Sequence, residues 1–204
     1  MQLETVESKL EYLRSEIDHK GIYRVAPNEI SLPGKAPNSK YTWQFYLRRC
    51  LFNPQFVTIA ADLLIKKLNN TDVQIGACED AGVPLGMAMS MMLNCPMISI
   101  KKSRKEYGLL NFTEGVLINK PILLVDDLAG SQNTFKKAIN TLCAFKLSIA
   151  DEYVALVNKT QATHANNYIQ NKKLVYLFSC ENFNMSWNDY FKTYGEYPDF
   201  GKYV

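Results

Sequence analysis

The 204-residue chain has no apolar run near the ~18 residues a membrane-spanning helix needs. Its opening residues, MQLETVESKL, show no basic stretch leading into an apolar one. The expectation is a protein neither exported nor embedded in a bilayer. Histidine is scarce: His19 and His164 stand far apart, outside any carboxylate or cysteine cluster, and are expected at the surface rather than on a metal. The five cysteines (Cys50, Cys78, Cys95, Cys143, Cys180) are odd in number and include no C-x-x-C pair. That disfavours a disulfide framework and favours buried, reduced thiols in a cytoplasmic protein. Charge of one sign is lacking too: 23 Lys+Arg against 20 Asp+Glu leave +3, too little to argue for nucleic acid. No repeat or low-complexity tract is present. What remains, 47% hydrophobic and 21% charged residues, is the composition of an ordinary globular protein that can bury a core.

Leu3, Val6, Leu10, Leu13 and Ile17 draw one stripe down an N-terminal helix that Gly21 can end. Residues 26–40, with three prolines, a glycine and no periodicity, read as a loop or irregular edge. Asn53 then suits an N-cap with Pro54 at the first helical position, and Phe56, Ile59, Ala60, Leu63 and Leu64 form the buried face. From there short apolar strands alternate with helices: VQIGA, the helix GVPLGMAMSMMLN, MISI, a long polar loop, ILLV, the helix NTFKKAINTLCAF, then EYVALV and LVYLF. This predicts an α/β protein, a parallel sheet covered by helices on both faces. Residues 1–204 form one domain in this reading: an N-terminal helix and hood over 1–50, a core over 51–160, and the last strand and aromatic tail over 161–204.

Ligands of such sheets bind beyond the carboxyl ends of the strands, where loops meet and helix amides point into a crevice. Four strand ends turn polar or glycine-bearing here: GACEDAG (76–82), KKSRKEYG (101–108), DDLAGSQNT (126–134) and NKT (158–160). A D-D pair alone is usually a solvated turn or helix cap. Here Gly130, Ser131, Asn133 and Thr134 follow it into a helix, so amides and hydroxyls can surround a phosphate while Asp126 and Asp127 accept from a sugar diol. Phosphate beside diol suggests a ribose 5-phosphate. Lysines cluster at another of these strand ends, Lys101, Lys102 and Lys105. The same lysines alone would read as a solvated loop.

ILLVDDLAGSQNTF resembles the phosphoribosyl diphosphate motif of the type I phosphoribosyltransferases: an apolar strand, V-[DE]-D, two mostly apolar residues, then a small polar loop opening a helix. KKSRKEYG resembles the R-K-x-x-K-x-[HY]-G loop of orotate phosphoribosyltransferases, and YTWQFYLRR is similar to their aromatic segment near the base. The likeness spans Tyr41 to Lys159. It implies the type I fold with a small hood, Mg²⁺, a homodimer, and transfer from phosphoribosyl diphosphate to orotate, giving orotidine 5-phosphate and pyrophosphate. Another nucleobase, or a regulatory module that binds without turnover, are the alternatives.

Residue by residue, the resemblance implies that Asp126 and Asp127 hold the ribose hydroxyls. Leu128 and Ala129 lead into a phosphate loop made of Gly130, Ser131, Gln132, Asn133 and Thr134. Lys101, Lys102 and Lys105 would face the pyrophosphate, Lys105 as the catalytic cation lent by a neighbouring subunit with Tyr107 beside it. Glu79, Asp80, Ala81 and Gly82 would bind pyrophosphate through their backbone, and Trp43, Gln44, Lys35 and Lys159 would lie at the base. Three positions depart from the pattern. Gln132 stands where the family has glycine, Lys101 replaces an arginine, and Lys159 replaces the arginine that meets orotate. Trp43 reads equally well as a core or interface aromatic, and Met87, Met89, Met91 and Met92 as core or dimer-interface residues.

Overall fold

The computed structural model describes residues 4–24, 32–33, 40–41, 43–101, 112–159 and 167–184. Its first part holds α1 (Val6–Glu16), β1 (Ile22–Arg24), β2 (Leu32–Pro33), β3 (Lys40–Tyr41), β4 (Trp43–Phe45), α2 (Arg48–Leu51) and α3 (Pro54–Ile65). The core continues with β5 (Gln74–Cys78), α4 (Val83–Met92), β6 (Met97–Ile100), β7 (Thr113–Gly115), β8 (Ile122–Ala129) and α5 (Asn133–Ala144). It closes with β9 (Ile149–Asn158), β10 (Tyr168–Ile169), β11 (Lys172–Ser179) and a 3₁₀ turn, Cys180–Phe183.

Thr5 starts α1 through a reciprocal cap with Ser8, at 3.1 and 3.2 Å. The helix runs on as one wider π turn, Ile17–Gly21, and stops at the glycine as its sequence predicts. Leu13 and Ile17 are wholly buried, but Val6 is half exposed, so only the lower part of the stripe reaches the core. Asn53 caps α3, its side-chain oxygen accepting from the amides of Gln55 and Phe56 at 3.0 and 3.3 Å. Ala61 takes the fully buried place expected of Ile59.

The central sheet has the order β10-β11-β9-β8-β5-β6-β7. Its five inner strands are parallel, as expected, whereas β7 and β10 are antiparallel edges. Neither edge was visible in the sequence, because strands of two or three residues are too short to show a period and need only main-chain partners to pair. Strand alternation splits the apolar runs between two cores. Leu123, Val125, Val154 and Leu156 pack with α1, α3 and α4, while Ile122, Leu124, Tyr153 and Ala155 pack with α5. A side chain at Gly86 would meet the Ala77 Cβ at 2.7 Å, so the glycine lets α4 lie close on β5. The buried Tyr153 hydroxyl has no hydrogen-bond partner among the described residues, and its ring lies 4.7 Å from that of Phe135. Tyr153→Phe is therefore expected to raise unfolding free energy by about 1 kcal/mol in urea denaturation; a fall would show that the hydroxyl is satisfied.

β5 connects through α4 to β6 on one side, yet β8 pairs on its other side. Between β5 and β8 lies the switch point where a crevice opens at the carboxyl ends.

Candidate active site

β8 extends beyond its apolar run. It pairs with β9 through Asp126↔Ala155 and Ala129↔Asn158, whereas its pairing with β5 ends at Ala77↔Val125. The ladder on the β9 side needs only main-chain groups, so the aspartates stay in the strand while the other flank opens. Asp126 is 6% exposed and accepts from the Asp127 amide at 2.9 Å. Asp127 is half-buried.

Across the crevice, β5 ends in the turn 79–82, whose Glu79–Asp80 peptide is cis. The Glu79 amide donates to Ile100 O at 2.9 Å and the Gly82 amide to Cys78 O at 3.0 Å. The Ser99 hydroxyl donates to the Glu79 carboxylate. Among the described residues the amides of Asp80 and Ala81 donate to no backbone carbonyl, so an anion can be met there.

A cavity of about 730 Å³ joins these parts, within the ~300–1,000 Å³ usual for small-ligand sites. Asp126, Asp127 and Leu128 line it from β8, and Ser131, Asn133 and Thr134 from the loop and first turn of α5. Ala81 and Lys101 complete the set of sequence-predicted residues on its wall. Lys101 and Phe112, both on the wall, are joined by a backbone hydrogen bond of 2.9 Å, so the chain leaves and re-enters the core at the cavity. Lys102, Lys105 and Tyr107 lie between them, and like Lys35 fall outside the described residues. The Lys101 side chain is 5% exposed and forms an ion pair with Glu114 on β7.

The remaining predicted residues stand off the wall. Ala129 is core, and Gly130 has open space around it. Gln132, at the entry to α5, has φ 59° and ψ 8°, the left-handed conformation that glycine reaches without strain. The backbone demand thus falls at the position where the resembled motif has glycine, and a glutamine meets it. Gln132→Gly is expected to raise stability by about 0.5–1 kcal/mol, with strain relief offset partly by unfolded-chain entropy. A lower urea midpoint would contradict it.

β4 sends Trp43 inward, 3% exposed, and Gln44 outward, so the two cannot meet one ligand from the same face. Trp43 packs edge-on to Phe45 at 5.6 Å, and the ammonium of Lys159, 5% exposed, lies 4.9 Å from its ring centroid. The Lys159 amide donates to Ala129 O at 2.7 Å, which sets this pair beside the loop 130–134. Burial pushes the nearby Cys180 thiol up to about 11 against the pull of Lys159. Cys78, which also lines the cavity, is 1% exposed.

Sequence reasoning missed Phe112, Lys137, Asn140 and Thr141, all on the cavity wall. The signal for three of them was available: with Thr134 at one end, Lys137 and Thr141 recur at helical spacing down one face of α5, with Asn140 alongside.

Comparison with known proteins decides the architecture. No protein-family profile matches the sequence. The chain is 22% identical over 141 residues to the orotate phosphoribosyltransferase of Methanocaldococcus jannaschii, covering 69% of this chain and 80% of that one. A phosphoribosyltransferase structure from Corynebacterium diphtheriae superposes with TM-score 0.69 at 16% identity, over 87% of this chain and 99% of that one. The fold is that of a type I phosphoribosyltransferase. The orotate phosphoribosyltransferase of Mycobacterium tuberculosis, solved with 5-phospho-α-D-ribosyl 1-diphosphate, shares this phosphoribosyltransferase fold at TM-score 0.60 and 12% identity, over 88% and 93% of the two chains. The crevice at Asp126 and Asp127 lies at this phosphoribosyltransferase fold's switch point between β5 and β8.

Proposed function

We propose that the chain is an orotate phosphoribosyltransferase: it transfers the phosphoribosyl group of phosphoribosyl diphosphate to orotate and releases pyrophosphate. The observation that carries this reading is the meeting of paired carboxylates, a helix-entry loop and both ends of a lysine-rich segment on one cavity. Asp126 and Asp127 accept from the ribose hydroxyls, and the loop 130–134 receives the 5-phosphate. The Asp80 and Ala81 amides, with lysines of the 101–105 segment, meet the pyrophosphate, whose charge grows as the C1–O bond breaks and the base nitrogen bonds to C1. The curated relative of that name supports orotate as the base.

Among the described residues no group of three or more His, Cys, Asp or Glu could hold a metal. Two hard carboxylates at the cavity do suit Mg²⁺ that arrives with a diphosphate, since that ion binds through one or two carboxylates plus substrate phosphates. Asp126 and Asp127 would hold it, and its chemistry is to neutralise the diphosphate oxygens. The reading includes a homodimer, which the exposed Met87 and Met91, one turn apart on α4, support. It also includes a cytoplasmic place in pyrimidine biosynthesis; no helix among the described residues is long and apolar enough to cross a membrane.

The test is a steady-state assay with phosphoribosyl diphosphate, Mg²⁺ and a panel of bases, with calorimetry in parallel. Orotidine 5-phosphate and pyrophosphate should form in equal amounts. Preference for another base would replace the substrate, and saturable binding without product would replace the activity.

A further inference from the structure

The phosphate loop carries a side chain where its backbone bends left-handed, at Gln132. That Cβ stands where a glycine lets the main chain approach an anion closely. A doubly charged phosphoryl group then needs charge from elsewhere. Lys101, on the same cavity, already faces Glu114. Lys137 also lines the cavity, is exposed, and has no carboxylate partner among the described residues.

Helix geometry directs this lysine toward the loop. It follows Asn133 by four residues and Thr134 by three, so it shares their face of α5. Helical side chains lean toward the N-terminus, which carries the ammonium back over the first turn. The axial offset from Asn133 is about 6 Å, a span that a four-carbon stem covers. We propose that Lys137 is a substrate-binding residue whose ammonium meets the phosphoryl group received by residues 130–134, supplying charge that the loop's own backbone cannot. The inference rests on the phosphoribosyl diphosphate reading of this cavity. A lysine suits the task because a point charge on a flexible stem tolerates a displaced loop, whereas a guanidinium demands planar alignment.

The 5-phosphate does not change during transfer, so a contact to it is as strong in the ground state as in the transition state. Its loss should raise KM and leave kcat alone. In the full chain at low salt, Lys137→Met is expected to raise KM for phosphoribosyl diphosphate about tenfold, with kcat within about twofold. Calorimetry should show the same weakening for phosphoribosyl diphosphate and for ribose 5-phosphate, with a shallower salt dependence. Lys137→Arg should recover most of the affinity. Because Lys137 is exposed, the variants should melt like the parent. Unchanged affinity for both ligands in Lys137→Met would overturn the inference, as would a fall in kcat at constant KM. A parent chain that binds without turnover, yet loses affinity in Lys137→Met, would sink the transferase reading and keep Lys137. A parent chain that binds neither ligand would sink both.

Discussion

Gly82→Ala is expected to lower the unfolding free energy by about 3 kcal/mol, the upper end for overpacking, and to remove turnover. The backbone there has φ −75°, open to any residue, so the constraint is space alone. An added Cβ would lie 2.5 Å from Val125 O, 2.7 Å from Cys78 O and 2.9 Å from the Asp126 Cα. All three are main-chain atoms, which cannot swing aside as a side-chain tip can. Relief must come from moving the 79–82 turn and α4 away from β8, and that would widen the crevice between this turn and the aspartates of β8. Gly130→Ala is the control, since nothing lies within 4 Å of its added Cβ; its stability should stay equal or rise by up to ~1 kcal/mol through unfolded-chain entropy. Urea denaturation of both variants decides the matter. A Gly82→Ala midpoint equal to that of the parent would mean that the turn does not press on β8.

The sequence made the site legible where chemistry breaks a pattern. Asp126 and Asp127 interrupt an apolar strand, and α/β topology requires strand ends to meet at one edge, so their place followed from order alone. What escaped were features that polar side chains do not announce. β8 runs on to Ala129 because β9 supplies main-chain partners; the strand therefore ends three residues after the first aspartate. Thr113–Gly115 pairs with β6 for the same reason, which shortens the long polar loop expected between MISI and ILLV. Residues 26–40 read as a loop or irregular edge, and within them no pattern announces that Leu32–Pro33 pairs with Lys40–Tyr41. Cysteine burial was legible only in part: Cys50, Cys78 and Cys180 are buried, whereas Cys143 is exposed and Cys95 half-buried. Of the α4 methionines only Met89 is core, because a helix that packs through one face leaves Met87, Met91 and Met92 outside. Lys137 escaped because it lies a turn beyond the polar helix entry, on a face that continues into the cavity.

Lys105→Ala is expected to lower kcat at least ~100-fold, the size typical of a lost transition-state stabiliser, with the urea midpoint unchanged. Lys105 lies outside the described residues, but the segment that bears it begins at Lys101 and ends at Phe112, both on the cavity wall. A segment tethered at both ends to one cavity can serve its own subunit or, across a dimer, the neighbour. Mixing two inactive variants separates these cases. Lys105→Ala keeps both aspartates, whereas Asp127→Asn keeps the lysine. If each subunit lends its lysine to the other, random exchange makes half the dimers mixed, each with one site holding both native groups. Activity should then return to about a quarter of that of the parent. If the lysine acts within its own subunit, every site in the mixture lacks one group and no activity returns. A Lys105→Ala variant with the parent's kcat would remove the residue from the mechanism outright, leaving Lys101 and Lys102 as the cations to test at the leaving group.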